Sequence, residues 1–497
     1  MPYKMKWNKL LSQESKSKRG RNKSINSNDL RTEFEKDYHR ILISASFRRL
    51  QDKTQVFPLD KNDFVRTRLT HSIEVSSFAK SIAQSISNRI INDKIDPDFM
   101  PEDANYISDI LASAGLLHDI GNPPFGHFGE DTIRSWFEEK LEEMVIENPL
   151  NNEFQKLSEV LNPQMREDFL NFEGNAQAIR LVAKLHFLID ENGMNLTYAL
   201  LNTLIKYPVS SLNINKNSGN IKDKKMGYYL AEQDLFKSIV EGTGTLNEKT
   251  GKICRHPLTF LLEAADDIAY STADIEDGFK KGFIVFEDLL KVIEPLKNEE
   301  VPNLCSYKKL LYYKERAIEK NYEKPEMYAV QRWIIFVQGS MINSAVFSFI
   351  KNYKSIMNGT YKYDLFEDTY SENLVKILKR LASTKIYTSV AIMKMEISAN
   401  TIIKFFMDNF IRSVLYYDTP LNEKYLKSID KRFLNIISDN YLHIYRYYSA
   451  KFEKNCDSEE ELFSYKLYLR MLLVTDYICG MTDTYAKTLY QELTGIE

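Results

Sequence analysis

The sequence is poor in cysteine, and its cysteines show no metal-binding spacing. None belongs to a CxxC pair in the chain of 497 residues; the four are Cys254, Cys305, Cys456 and Cys479. Zinc–thiolate sites and disulfide frameworks need paired thiols at short or regular spacing. The cysteines therefore exclude both kinds of site and are typical of a protein in a reducing compartment.

The chain also lacks a strong net charge, a secretion signal and an uninterrupted apolar run. Its formal net charge is −3, which argues against a dedicated nucleic-acid-binding protein. The N-terminus shows no apolar segment with a cleavage signal. The most apolar window, 333–350, contains Gln338, Ser340 and Asn343, which predicts a buried helix and no membrane span. We therefore expect a soluble, cytoplasmic enzyme.

Glycine-rich phosphate motifs and alternating strands are also scarce. The sequence contains neither a G-x-G-x-x-G pattern nor a P-loop, and only 53–57 suggests a short strand. Helical spacing dominates instead, with apolar residues repeating every three or four positions over 75–86, 107–117, 133–141 and 258–272. These series predict an all-α protein.

The length allows several domains, and composition suggests where they divide. A basic segment over 1–28, including Lys4, Lys16 and Arg21, predicts a solvated and partly mobile N-terminal arm. A weak boundary near Pro295 predicts a helical core over 29–295 and a C-terminal helical region over 296–497 packed on it. Polar and turn-forming residues predict loops that include 147–163, 212–225 and 241–252.

The most informative stretch is His118–Glu130, which reads HDIGNPPFGHFGE. His118 continues an apolar helical face, and His71 does the same on an earlier helix, so both point inward. Asp266, Tyr270 and Asp274 form a polar stripe on a third apolar helix.

Two imidazoles with carboxylates suit a divalent ion that keeps open positions for water and phosphate oxygens. Each residue alone has a simpler interpretation. An inward His can be a hydrogen-bonded core residue, and Asp266 can be a surface acid. Helical spacing does not distinguish Asp266 from Asp267 as the ligand.

Six segments in order resemble the HD-domain deoxynucleoside triphosphate triphosphohydrolases, most closely the bacterial dGTPase branch. The resemblance extends from about Arg31 to the C-terminus. The HD dipeptide alone is weak, because many phosphohydrolases share it, but the ordered set is specific. The segments are SFRRLQDKTQVF (46–57), RTRLTHS (66–72), HDIGNPPFGHFGE (118–130), NFEGNAQ (171–177), LEAADDIAY (262–270) and DYICGMTD (476–483).

The resemblance implies an all-α HD-domain core with a C-terminal helical extension, and it assigns roles to particular residues. It implies hydrolysis of dGTP, and of other dNTPs in some members, to deoxynucleoside and inorganic triphosphate. One divalent ion per subunit, Mg²⁺ or Mn²⁺ with Co²⁺ as a further candidate, is implied. The implied metal ligands are His71, His118, Asp119 and Asp266, and the implied catalytic pair is His127 and Glu130.

The resemblance also implies a substrate-binding set. Arg68, Lys206, Tyr207 and Lys225 match residues near the phosphates, and Asn175 lies in a matching segment. The further matches are Tyr270 and Asp274 at the deoxyribose, Gln55 and Val56 near sugar and base, and Glu396 on the base side. Residues 397–401 depart from the family pattern, which leaves the base preference open.

Other functions remain as alternatives at this point. The same metal site could serve a nucleotide phosphodiesterase or 5′-nucleotidase. The basic arm and many tyrosines also allow a non-catalytic nucleotide- or single-stranded-DNA-binding protein. The resemblance further implies a homo-oligomer, a hexamer or tetramer, and a single-stranded DNA effector.

Overall fold

A computed structural model describes residues 3–17, 29–57, 65–187, 190–298 and 305–496. Within these stretches α-helices form almost all of the regular structure, which confirms the all-α prediction. The α-helices are α1 (Trp7–Leu10), α2 (Glu33–Ile43), α3 (Ala45–Arg48), α4 (Arg68–Asn92), α5 (Asp103–Leu117), α6 (His127–Glu143), α7 (Leu157–Val160), α8 (Pro163–Leu170), α9 (Gly174–Arg180), α10 (Tyr198–Leu204), α11 (Gln233–Gly242), α12 (Pro257–Lys280), α13 (Phe286–Ile293), α14 (Ser306–Glu319), α15 (Pro325–Lys351), α16 (Tyr353–Met357), α17 (Glu372–Lys385), α18 (Val390–Val414), α19 (Asn422–Tyr425), α20 (Ser428–Ile436), α21 (Asp439–Glu453), α22 (Glu459–Cys479) and α23 (Asp483–Thr494).

Two small antiparallel hairpins complete the regular structure of the described stretches. They are β1 (Val145–Glu147) with β2 (Phe154–Lys156), and β3 (Leu246–Asn247) with β4 (Lys252–Ile253). Both fall where the sequence predicted loops, so those loop predictions were incomplete. Strands of two or three residues are too short to show a period-two pattern. Short 3₁₀ turns and one π turn cover Arg49–Asp52, Leu181–Leu185, Asp190–Asn192, Ser211–Asn213, Ile221–Asp223, Leu230–Glu232 and Glu294–Asn298.

The strand suggested at 53–57 is wrong. Thr54 forms a single isolated bridge with Thr67, and the preceding residues form a 3₁₀ turn. The Lys53 side chain is buried, and its Nζ donates to the carbonyl oxygens of Asn122 and Cys479, each at 2.6 Å. Lys53 therefore links two segments that are far apart in the sequence, one at Asn122 and one at Cys479.

Three helices, α4, α5 and α12, pack against one another at the centre of the fold. Thr67 starts α4 with a reciprocal capping interaction with Thr70, and Pro257 occupies the first turn of α12, where proline is favoured. Their apolar faces are buried as the periodicity predicted. Ile82 on α4, Leu111 on α5 and Leu262 on α12 are buried together in one core. Three neighbouring helices at the centre of the fold can therefore contribute side chains to one shared site.

Two apolar cores organise the described residues. The larger collects side chains from Met5 to Ile444, and the second collects side chains from Phe125 to Leu489. In the second core α18 packs against both α6 and α22. Each core thus draws on both sides of residue 295, as expected for a C-terminal region packed on the first helices. The boundary itself stays a prediction.

The N-terminal segment 3–17 is packed, which corrects the expectation of a solvated arm for these residues. Trp7 and Leu10 are fully buried, and the Trp7 indole donates to the Tyr353 hydroxyl at 2.7 Å. Lys16 Nζ donates to the Tyr448 hydroxyl at 2.7 Å. Apolar residues interleaved with the lysines give this segment a buried face that the charge count did not reveal. Residues 18–28 lie outside the described residues.

The apolar window 333–350 lies in α15. Among the described residues α15 alone is long and apolar enough to cross a membrane by length and composition. Trp333, Val337 and Met341 are nevertheless fully buried in the larger core, and α15 packs against α4 and α12. Burial of one face in this way is the usual property of a core helix.

Candidate metal and catalytic site

Three helices bring the predicted metal ligands together. His71 lies in the first turn of α4, and His118 follows the last residue of α5. Asp119 comes next in the chain, and Asp266 lies in the middle of α12. The packing of α4, α5 and α12 therefore directs four donors from distant parts of the sequence to one point.

The donor atoms are close enough to share an ion. Nε2 of His71 and Nε2 of His118 are each 3.4 Å from Oδ1 of Asp266. Nε2 of His118 lies 3.6 Å from Oδ2 of Asp119. Donor atoms of His71, His118 and Asp119 all lie within 4.8 Å of one another.

This geometry fits a divalent cation. Bonds of about 2.1 Å at angles of about 110° place neighbouring ligands about 3.4 Å apart. Nδ1 of His118 faces the Gly115 carbonyl oxygen at 2.8 Å, so Nε2 is the nitrogen directed at the site. That Nε2 is buried without a hydrogen-bond partner, and a buried polar atom of this kind needs a compensating ligand. The mixed nitrogen and oxygen donors suit Mg²⁺, Mn²⁺ or a similar ion.

The carboxylates of the site are held ionised by neighbouring cations. Burial raises the pKa of Asp119, but the neighbouring charges, of which Arg68 contributes most, together outweigh burial and bring that pKa well below its usual range. Arg68 donates from a guanidinium nitrogen to Oδ2 of Asp119 at 2.6 Å. Burial also opposes ionisation of Asp266, and the charge of Lys206 lowers its pKa far below normal. Lys206 Nζ lies 2.9 Å from Oδ2 of Asp266.

The pKa values of His71 and His118 are shifted in opposite directions. Burial lowers the pKa of both imidazoles. For His71 the hydrogen bond and charge of Asp266 outweigh burial, so its pKa is raised. For His118 burial prevails over the neighbouring carboxylates, and its pKa is lowered.

The structure separates two adjacent acids that helical spacing could not distinguish. Asp266 faces the histidines, whereas Oδ1 of Asp267 lies 2.7 Å from Nζ of Lys379 on α17. Burial raises the pKa of Asp267 to about 6 despite that lysine. Asp266 is therefore the acid whose geometry suits a metal ligand.

His127 and Glu130 form a hydrogen-bonded pair at the start of α6. Nδ1 of His127 lies 3.0 Å from Oε2 of Glu130. The His127 side chain is 77% exposed and that of Glu130 is 2% exposed. The hydrogen bond to Glu130 raises the pKa of His127, which favours the imidazolium. An exposed imidazole oriented by a buried carboxylate suits proton transfer.

Glu130 is fixed from a second side by α9. Its Oε1 accepts a hydrogen bond from the Gly174 amide at 2.8 Å. A side chain at position 174 would lie 2.5 Å from that same oxygen and 2.2 Å from Oδ1 of Asn122, so only glycine fits. Asn122 in turn donates to Oδ1 of Asp119 at 2.7 Å. Gly174 and Asn122 therefore connect the His127–Glu130 pair to Asp119, one of the predicted metal ligands.

A basic cavity of about 460 Å³ is lined by Glu173, the residue before Gly174, whose amide donates to Glu130. Lys225 lies at its wall, with Nζ 2.7 Å from Oε2 of Glu173. Its surplus of positive charge suits a polyphosphate. The lining residues include Arg134, Glu173, Tyr207, Lys216, Lys224 and Lys225. Two predicted phosphate contacts, Tyr207 and Lys225, are thus brought together.

Tyr270 and Asp274 meet through a third residue that the sequence did not reveal. The hydroxyl of Tyr387, between α17 and α18, donates to Oδ2 of Asp274 and is hydrogen-bonded to the Tyr270 hydroxyl. Burial raises the pKa of Asp274 to about 7. Burial likewise raises the pKa of Tyr270 to about 12, so the phenol stays protonated. These three side chains form one polar network on the flank of α12.

The remaining predicted substrate contacts are Gln55, Val56, Asn175 and Glu396. Oε1 of Gln55 is buried without a hydrogen-bond partner, and Val56 is buried in the larger core. Asn175 donates to Oε1 of Glu173 at 2.6 Å. Glu396 is exposed on α18. Its contact with the base of a nucleotide stays a prediction.

Comparison with known proteins identifies the family. The HD domain matches residues 68–201. A Listeria innocua protein named deoxyguanosinetriphosphate triphosphohydrolase-like protein is 49% identical over 494 residues, covering 99% of this chain and 100% of that protein. The chain belongs to the deoxyguanosinetriphosphate triphosphohydrolase family. The resemblance inferred from the ordered segments is thereby confirmed.

More distant family members also match along most of their length. The deoxyguanosinetriphosphate triphosphohydrolase of Yersinia pseudotuberculosis is 33% identical over 497 residues, covering 93% of this chain and 94% of that protein. A deoxyguanosinetriphosphate triphosphohydrolase-like protein of Synechocystis is 31% identical over 501 residues, covering 99% of this chain and 100% of that protein. The HD match includes His71, His118 and Asp119 and ends before Asp266. The fourth donor therefore comes from outside the matched domain.

Proposed function

We propose that the protein hydrolyses dGTP, with other dNTPs as further substrates, to a deoxynucleoside and inorganic triphosphate. The observation that carries this proposal is the convergence of four metal-type donors beside the His127–Glu130 pair. The basic cavity lined by Tyr207 and Lys225 is large enough for a triphosphate group. Family membership supports the same reaction.

The proposed metal ligands are His71, His118, Asp119 and Asp266. When bound, a divalent ion supplies Lewis-acid polarisation of a phosphate oxygen and activation of water. Mg²⁺ or Mn²⁺ suits this donor set, with Co²⁺ as a further candidate.

The proposed roles of the other residues follow from their charge and position. Arg68, Lys206 and Lys225 neutralise the negative charge of the phosphates in a site with limited access to water. His127 carries a proton to or from the reacting phosphate group, and Glu130 holds the imidazole in orientation through Nδ1. Water attack at the α-phosphorus forms a new P–O bond and breaks the bond from that phosphorus to the 5′-oxygen. The deoxynucleoside leaves with a proton on its 5′-oxygen, and the oxygen of the water stays in the inorganic triphosphate.

Tyr270 and Asp274 are proposed to hold the deoxyribose. In this proposal Asp274 accepts from the 3′-hydroxyl, and the Tyr270 ring disfavours an added 2′-hydroxyl by crowding. Comparing dGTP with GTP tests this role. We expect clear preference for dGTP in the wild-type protein, and equal rates would contradict the sugar assignment. Gln55, Val56, Asn175 and Glu396 remain candidate substrate contacts.

The decisive experiment is product analysis. The protein loaded with Mg²⁺ or Mn²⁺ is incubated with each dNTP, and the products are separated by ion-exchange chromatography. Deoxynucleoside and triphosphate in equal amounts support the proposal. Pyrophosphate or orthophosphate instead would favour a phosphodiesterase or 5′-nucleotidase with the same metal site. A protein in which Asp266 is replaced by Asn serves as the control for contaminating phosphatases.

Assembly and DNA binding are separate proposals from family resemblance. We propose a homo-oligomer, a hexamer or tetramer, which light scattering of the purified protein tests. We also propose that single-stranded DNA acts as an effector. Binding that weakens steeply as salt rises would support this, because phosphate contacts release counterions. Absence of binding at low salt would contradict it.

A further inference from the structure

The catalytic histidine follows a backbone turn with an unfavourable conformation. Phe125 has φ +64°, and Gly126 has φ +59° with ψ −126°. A bulky residue in the left-handed region is uncommon, because its side chain crowds the backbone there. The turn ends directly at His127, the first residue of α6. The conformation of the turn therefore determines the position of the His127 imidazole. Contacts elsewhere must therefore hold the turn in place.

The side chain of Asp483 makes the contact that holds it. Oδ1 of Asp483 accepts a hydrogen bond from the Phe125 amide at 2.8 Å. Oδ2 accepts from the Thr54 amide at 2.9 Å and from the Thr54 hydroxyl. Asp483 begins α23 and is 2% exposed. A buried carboxylate with three donors is a rigid anchor, because losing any partner leaves an unsatisfied polar group.

A second buried contact holds the residues that precede the turn. Lys53 Nζ joins the carbonyl oxygen of Asn122 to that of Cys479, at the end of α22. The residues preceding the turn are thus tied to the C-terminal helices at two points. Neither Lys53 nor Asp483 belongs to the proposed metal or catalytic set.

We propose that Asp483 is a positioning residue for His127. By holding the Phe125 amide it maintains the turn that presents the imidazole to Glu130 and to the reacting phosphate. The kinetic part of this proposal rests on the proposed function. The structural part, the orientation of His127 toward Glu130, can be measured without substrate.

The test compares Asp483→Ala with a control that removes the charge from a neighbouring contact between the same two segments. Thr484 Oγ1 donates to Oδ1 of Asp52 at 2.7 Å without touching the turn. In Asp483→Ala we expect kcat to fall by about 10- to 100-fold, because misplacing a catalytic group by about 1 Å has such an effect. KM should change by less than about threefold, with metal content unchanged. Asp52→Asn should match wild type.

A second readout separates positioning from general stability. The pKa of His127 depends on Glu130 on its own helix, on Arg68 on α4 and on Asp119 after α5. In Asp483→Ala the weakened contact with Glu130 should lower the pKa of His127, observed by NMR titration of labelled histidine. The His127 signal is assigned by its loss in His127→Ala. Should wild type not hydrolyse dGTP, this titration still tests the orientation.

Asp483→Asn provides a milder change if the alanine variant does not fold. Its amide keeps one acceptor oxygen but places an N–H group against a donor, so a smaller loss of kcat in the same direction is expected. If either variant folds, binds metal and keeps both kcat and the His127 titration of the Asp52→Asn control, the positioning role is refuted.

Discussion

His127 and Glu130 are joined by a hydrogen bond of 3.0 Å although their exposure differs sharply. The imidazole is 77% exposed, whereas the carboxylate is 2% exposed and held by the Gly174 amide. The buried acid therefore fixes one nitrogen of a ring whose other side faces solvent. This asymmetry suits a proton carrier that must both stay oriented and reach a substrate.

Replacing His127 by alanine should abolish most turnover and leave the fold and metal intact. Removing a general acid–base group costs roughly 10²–10⁴-fold in rate. The measurement is kcat for dGTP together with metal content by elemental analysis. Glu139→Gln, an exposed position on the same helix, is the control. Turnover within twofold of that control would contradict the role of His127.

Replacing Glu130 by glutamine should change the titration of His127. The carboxylate raises the pKa of His127, so the imidazolium persists to a higher pH than it otherwise would. Without that charge, the positive charge of Arg68 still lowers the pKa of His127. The imidazolium is then lost at lower pH, and any activity that needs it declines at lower pH. NMR titration measures the shift, and an unchanged midpoint would show that the pair does not interact in solution.

Asp266 and Asp267 make a matched pair for testing the metal site. Asp266→Asn should lose bound metal, because it removes a charged donor facing both histidines. Asp267→Asn should keep its metal, because that side chain pairs with Lys379 instead. Elemental analysis after dialysis measures both. Full occupancy in Asp266→Asn, or loss in Asp267→Asn alone, would overturn the ligand assignment.

Trp7→Ala should destabilise the whole protein. The indole is fully buried and hydrogen-bonded to Tyr353, and removing a buried aromatic side chain typically costs about 3–5 kcal/mol. Chemical denaturation measures the free energy of unfolding. Asn8→Ala, at the exposed neighbouring position, should cost much less. Equal stability of the two variants would mean that the N-terminal segment does not pack as described.

The helical framework could be predicted from sequence because its apolar faces are long and regular. The buried residues of α4, α5 and α12 follow the spacing of three and four that predicted them. The hairpins could not be predicted, because their strands have only two or three residues. The packing of 3–17 was missed because lysines dominate the composition, whereas Met5, Trp7, Leu10 and Leu11 form its buried face.

The candidate site was only partly predictable. Motif order pointed to Asp266, but only the structure shows that its neighbour is turned to Lys379. Tyr387 belongs to no motif and lies 113 residues from Asp274, so its contact depends on how α17 and α12 pack. Glu396 was assigned from local sequence alone, and helix position leaves it exposed.

The hydrogen bond from the Phe125 amide to Asp483 spans 358 residues of sequence. During translation the amide leaves the ribosome long before its acceptor has been made. The helices that carry His71 and His118 can pack much earlier, since they are close in sequence. The turn at His127 can gain this contact only after α23 has been made, so in a nascent polypeptide the proposed metal ligands can come together before the proposed proton-transfer pair is held in its final position.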